Sequence, residues 1–219
     1  MKIRTALQEF DWKGWLGWMA VTLAGVELVA LSIIFSLVRG LDKYWWGYLA
    51  TASAAGISLG VCQWIWLRRR LVKAWWWIVS TLLGWYLAAL LVMVLDANDS
   101  NATGILRQLV GAIGTLAIPL ALSLPQWFFI RRQFQKRAWW WMVARPLAWL
   151  AGLGLIVVSD YIHILPPGDL FLPFDPSSLW SVSIFFAIFG FGFAAVTGAA
   201  FTSIQTNQTG VRSHGAAGS

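Results

Sequence analysis

Six long apolar stretches, each bounded by charged or turn-forming residues, divide the chain: Gly14–Leu37, Trp45–Leu67, Trp75–Leu95, Leu109–Ile130, Trp139–Ser159 and Leu179–Ile204. Each has the roughly 20 residues that an α-helix needs to cross a hydrocarbon layer about 30 Å thick. They predict an all-α bundle of six transmembrane helices, a single membrane domain over residues 1–205. What remains is too short for a soluble domain. The polar, Gly- and Ala-rich tail 206–219 reads as disordered.

Composition agrees. Hydrophobic residues are 59% of the chain, charged residues 11%, and mean hydropathy is +0.68; a soluble domain carries roughly 25% charged residues. The one cysteine, Cys62, lies in the second stretch, so there is no internal disulfide framework. The first stretch is longer than a signal-peptide core and no small-residue cleavage site follows it. It is expected to stay as a membrane helix.

The net charge of +7 follows the loops. Lys2, Arg4 and Lys13 precede the first helix. Arg68, Arg69, Arg70 and Lys73 join the second and third, Arg131, Arg132, Lys136 and Arg137 join the fourth and fifth, and Arg212 lies in the tail. Alternate threading puts all of these on one side. The other side sets Arg39, Lys43 and Arg107 against Asp42, Asp96, Asp99, Asp160, Asp169 and Asp175. The positive-inside rule then places both termini in the cytoplasm. The basic turns also suit anionic lipid headgroups; they give no reason to expect nucleic acid.

Part of the chain recurs. QWIWLRRRLVKAWWW begins at Gln63 and QWFFIRRQFQKRAWWW at Gln126. Gln-Trp, a basic turn and three tryptophans return in one order, and Trp85 falls on Trp149. Duplication of an out-and-back helix pair explains this. It predicts three degenerate units, about 10–68, 73–132 and 137–205, around an axis along the membrane normal. The third has lost its Gln-Trp and its basic turn.

The Gly-xxx-Gly-xx-Gln-Trp of Gly56–Trp64, with its basic turn and tryptophan cluster, resembles a group of small multi-pass bacterial membrane proteins of uncharacterised role. The resemblance covers about half the chain. It implies a six-helix protein of the cell (inner) membrane, or of another internal bacterial membrane, and no activity. The second copy departs from it, with Pro119 and Ser123 where the glycines would sit.

The recurring residues have physical jobs. Twelve of the 17 tryptophans lie near the cytoplasmic boundary, Trp12, Trp15, Trp18, Trp64, Trp66, Trp75, Trp76, Trp77, Trp127, Trp139, Trp140 and Trp141. There the indole suits the headgroup level, and they are expected to anchor the bundle. Trp85 and Trp149 lie roughly 15 Å further in and are candidates to line an internal site. Gln63 and Gln126 sit one turn inside the boundary, where an amide needs a partner that lipid cannot supply. They either bond to a neighbouring helix or line a crevice mouth. Gly56 and Gly60, and the stripe Gly190, Ala194 and Gly198, let another helix come close, within the chain or in a homo-oligomer.

Two charges fall inside the apolar stretches, Glu27 in the first and Arg145 in the fifth, beside Pro146. Intramembrane charges point to function. Their depths differ by roughly 9 Å by residue count, so pairing is within reach of two long side chains. Snorkelling of Arg145 is the alternative.

Several chemistries are excluded or unsupported. Neither histidine, His163 or His214, lies in a helix centre, which rules out bis-histidine haem. No lysine is placed for a retinal Schiff base. Asp160 and His163 in the proline-rich segment 160–178 are too few for a metal site. There is no P-loop, HExxH or nucleophile–base set. Two functions stay open. One is a non-enzymatic protein that binds a lipid-like small molecule, such as a lipid, quinone or pigment, or assembles with a larger membrane complex. The other is a small secondary transporter using Glu27 and Arg145.

Overall fold

The structure is a computed structural model that describes residues 11–99, 105–134, 138–161 and 179–215. It is all-helical over these residues. Six long helices follow in order: α1 (Trp12–Val38), α2 (Trp45–Leu67), α3 (Trp76–Asp99), α4 (Ile105–Phe134), α5 (Trp139–Tyr161) and α6 (Leu179–Gly215). Each contains one of the six apolar stretches to within a residue at its start. Five of them, all but α4, are long and apolar enough to cross a membrane among the described residues. α4 runs for 30 residues with Pro119 and Pro125 inside it, about 45 Å at helical rise.

The helix ends have local causes. Asp11 precedes α1, and its carboxylate accepts the Gly14 N–H at 2.8 Å, satisfying one of the free donors of the first turn. Gly40 has φ 63° and redirects the chain after α1 into a short 3-10 turn, Leu41–Lys43. Lys73, also in the left-handed region at φ 55°, reverses the chain between α2 and α3. α6 runs on through residues 206–215 and ends at Gly215. No proline interrupts them, and extending an existing helix costs far less than nucleating one. The segments 100–104, 162–178 with His163, and the last four residues lie outside the described residues.

The helices form a closed ring. Each packs on its neighbours in sequence, α6 returns to α1, and the α4–α5 seam is the lightest. An ion pair, Arg70 to Asp11 at 3.0 Å, and a buried cluster of Trp18, Leu67, Trp77, Ile130, Trp141 and Phe201 bring one set of helix ends together. These are the starts of α1, α3 and α5, the ends of α2 and α4, and the later part of α6. The arginine-rich turns therefore share one end of the bundle, called here the basic end.

Small residues set the close approaches. A Cβ at Gly56 would lie 2.9 Å from Leu82 Cα, and one at Gly60 3.1 Å from Ile78 Cα, so α2 and α3 meet backbone to backbone. Gly190 lies against Leu23 and Val26, and Gly198 against Trp15 and Trp18; with Ala194 fully buried, this stripe faces α1 of the same chain. Between α3 and α4, where Pro119 and Ser123 replace the glycines, Gly84 on the other helix makes the approach. A Cβ there would sit 2.7 Å from the Leu122 carbonyl oxygen.

Candidate functional site

The buried polar residues form a belt near the basic end. Trp77 Nε1–H donates to Gln63 Oε1 at 2.8 Å, and the Gln63 amide donates to Thr22 Oγ1 at 3.3 Å. One helix pair further on, Trp141 Nε1–H donates to Gln126 Oε1 at 3.1 Å, and the Gln126 amide donates to Thr81 Oγ1 at 2.8 Å. Trp18 Nε1–H donates to Thr197 Oγ1 at 3.1 Å, joining α1 to α6. Each tryptophan sits four residues before a polar residue on its own helix face: Trp18 before Thr22, Trp77 before Thr81, Trp141 before Arg145. In lipid these amides and indoles have no other partners, so the belt ties neighbouring helices together.

The three indoles also meet one another. Trp18, Trp77 and Trp141 are fully buried, with edge-to-face centroid distances of 5.5–6.1 Å, and Phe201 stacks on Trp18 at 5.1 Å. Such pairs favour edge contacts between a ring's positive rim and another's negative face. Together they plug the bundle beneath the basic turns. This corrects the expectation that these three are interfacial anchors. The first two tryptophans of each triplet, Trp75 with Trp76 and Trp139 with Trp140, are exposed and stacked at 4.4 and 4.3 Å. At the same rim Arg68 covers Trp64, Arg70 covers Trp66 and Arg131 covers Trp127, at 5.5, 4.0 and 5.1 Å. The basic and aromatic residues of the rim act as a unit.

Beyond the plug lies a cavity of about 490 Å³ to which all six helices contribute. Its walls are apolar: Val26 and Ile33, Ala52 and Leu59, Trp85 and Ala89, Leu122, Trp149, and Phe186 and Phe189 stand for the six. It reaches Leu37 and Tyr48, toward the end opposite the basic turns. Trp85 and Trp149 both line it, and Trp85 Nε1 is buried without a partner.

Arg145 stands where the cavity meets the plug. It is 2% exposed. Its Nη2 donates to Gln126 Oε1 at 2.6 Å, and its guanidinium lies 5.5 Å from the Trp141 ring and 5.1 Å from Phe193. Its Nε is buried without a partner. Among the described residues no carboxylate is within ion-pair distance of it. The aromatic faces and the amide oxygen offset part of the cost of a buried cation. Pro146 follows in a helix that stays continuous to Tyr161.

The predicted site residues thus divide. Arg145, Gln126, Trp85 and Trp149 gather at or beside the cavity, and Gln63 serves the belt. Glu27 lies apart, so the pairing with Arg145 that the residue count allowed is not made. α6 stands between their helices in the ring, and Val26 and Val29, not Glu27, face the cavity. Glu27 Oε1 is buried without a partner. The sequence reading overlooked Thr22, Thr81 and Thr197. For Thr22 and Thr81 the available signal was a tryptophan four residues earlier, a spacing that Trp141 and Arg145 share; Thr197 follows Phe193 and had none. Among the described residues there is no cluster of metal-ligating side chains. No known protein family, curated protein or solved structure matches this chain.

Proposed function

We propose that this is a membrane-embedded, non-enzymatic binding protein that holds one small lipid-like molecule between its six helices. The observation that carries this reading is the cavity with Arg145 at its inner end. Its volume of about 490 Å³ lies within the roughly 300–1,000 Å³ of ligand pockets, which are mostly apolar with a few placed polar groups. All six helices cross the bilayer in this proposal, α4 included. Both termini and the basic end face the cytoplasm, as the positive-inside rule requires. Three duplicated helix pairs then surround the cavity, and the Trp–Gln and Trp–Thr hydrogen bonds join one pair to the next. The seat is the inner membrane of a bacterial cell, and the rim of arginines and tryptophans meets anionic headgroups.

Native mass spectrometry of the protein extracted gently from its own membrane tests the reading. A discrete additional mass of a few hundred daltons is expected, and Ala89→Phe, which fills the cavity from α3, should remove it. A bare wild-type mass would sink the binding role. Additional protein masses with no small molecule would replace it by assembly into a larger complex. Glu27 favours a second reading, a small secondary transporter, because a partly buried carboxylate with an unpartnered oxygen suits proton coupling. Glu27→Gln should then abolish proton-coupled flux while the bundle still folds. Unchanged flux would end that mechanism.

A further inference from the structure

We propose that the cavity takes a single-chain amphiphile with one anionic head, a carboxylate of the fatty-acid type, bound head-inward on Arg145. This rests on the cavity being a binding site, and adds the charge, the size and the orientation of what fills it.

The charge follows from what Arg145 lacks. The guanidinium is buried, and among the described residues only neutral groups meet it: an amide oxygen and two aromatic rings. That amide oxygen is shared, because Gln126 Oε1 also accepts from Trp141. The Nε–H has no acceptor at all. The other unpartnered buried donor on the cavity wall is Trp85 Nε1. A site with spare donors and an uncompensated positive charge selects an anionic acceptor over an alcohol, and disfavours a cation.

Size and orientation follow from the walls. The lining on α1 runs from Val26 to Leu37, roughly 16 Å at 1.5 Å per residue. At about 1.2 Å per bond of extended chain, that length holds on the order of a dozen carbons. Away from Arg145, two wall hydroxyls are engaged with protein: Thr51 bonds to Ser36 at 2.7 Å and to the Gly47 carbonyl at 2.9 Å. The inner end is closed by Trp18, Trp77, Trp141 and Phe201. Charge is therefore wanted only at the closed end, and the hydrocarbon must trail toward Leu37 and Tyr48. This is the reverse of a lipid that keeps its head at the nearer surface.

The test compares dodecanoate with dodecanol, by titration calorimetry on the full chain in nanodiscs of zwitterionic lipid. Dodecanoate should bind about tenfold tighter or more, and Arg145→Met should erase the preference while Arg145→Lys keeps part of it. Equal binding of acid and alcohol to the wild type would overturn the charge claim and leave the cavity reading intact. That comparison needs no variant, so it decides even if Arg145→Met does not fold. Failure of both probes to bind would overturn the cavity reading as well. Orientation is read from the anomalous scattering of ω-bromododecanoate in crystals. Bromine near Tyr48 supports the head-inward pose, and bromine beside Arg145 overturns it.

Discussion

Gln63 and Gln126 occupy corresponding places, but they are not worth the same. Gln63 bonds Trp77 and Thr22; Gln126 bonds Trp141, Thr81 and also Arg145. Gln63→Leu leaves one buried indole N–H unpaired and should cost about 1–2 kcal/mol. Gln126→Leu strips an acceptor from a buried cation as well, and should cost about twice that. Thermal unfolding of the two variants in one detergent gives the order, and equal losses would show that Arg145 does not depend on Gln126. At the basic end Asp11 makes a pH-dependent contribution. Its carboxyl is held below the ordinary 3.8 by the Gly14 N–H and by Arg70, against the opposing effect of burial. A carboxyl lowered on folding stabilises above its unfolded value and loses that contribution as pH falls through the folded one. Asp11→Ala should therefore cost about 1 kcal/mol at neutral pH, and the gap from wild type should close well below pH 4; a gap unchanged at low pH would mean that the cap acts without its charge. Trp85 and Trp149 were legible because depth along a helix is a residue count. The threonines were not, because Thr22 and Thr81 matter only through a glutamine on another helix.

Glycines decide how closely whole helices approach, and the structure separates those that matter from those that do not. At Gly84 a methyl group would meet the Leu122 backbone at 2.7 Å, and a backbone cannot rotate out of the way; at Gly154 nothing lies within 4 Å. Gly84→Ala should push α3 from α4 and destabilise by about 1–3 kcal/mol. Gly154→Ala should instead stabilise slightly, by up to about 1 kcal/mol, since alanine is the better helix former. Thermal melts of the pair test this, and a destabilised Gly154→Ala would mean that the face carries a contact in the membrane. The contrast shows what one sequence reveals about an element. The six apolar stretches fix where helices run, because spanning length and hydropathy are local properties. Which side faces a neighbour is not local. Gly56 and Gly60 resemble a packing motif and pack, but the approach between α3 and α4 moves to Gly84, outside the repeated motif. The tryptophan triplets divide for the same reason. Successive residues on a helix point about 100° apart, so only Trp77 and Trp141 reach the centre while their two predecessors meet the rim.

At the scale of the whole molecule, the plug makes the two ends of the bundle unequal. The basic end is filled by indoles and closed by a hydrogen-bonded belt, whereas the cavity extends the other way. Access to Arg145 should therefore come from the face opposite the arginine turns, or from the bilayer on that half; in the proposed orientation that is not the cytoplasmic side. Cys62 is the sole thiol, so Cys62→Ser provides a blank background for single cysteines. Arg69→Cys probes the basic end and Lys43→Cys the opposite one, both at exposed positions. Thr51→Cys probes the cavity wall near its outer reach. With a membrane-impermeant maleimide and sealed vesicles of both orientations, Arg69→Cys should label only from the cytoplasmic face and Lys43→Cys only from the other. Thr51→Cys should follow Lys43→Cys, more slowly, and its labelling should slow further with dodecanoate present. Labelling of Lys43→Cys and Arg69→Cys from one face would overturn the threading of six helices. Labelling of Thr51→Cys from the cytoplasmic side alone would mean that the plug opens, and a cavity that opens at either end belongs to a transporter.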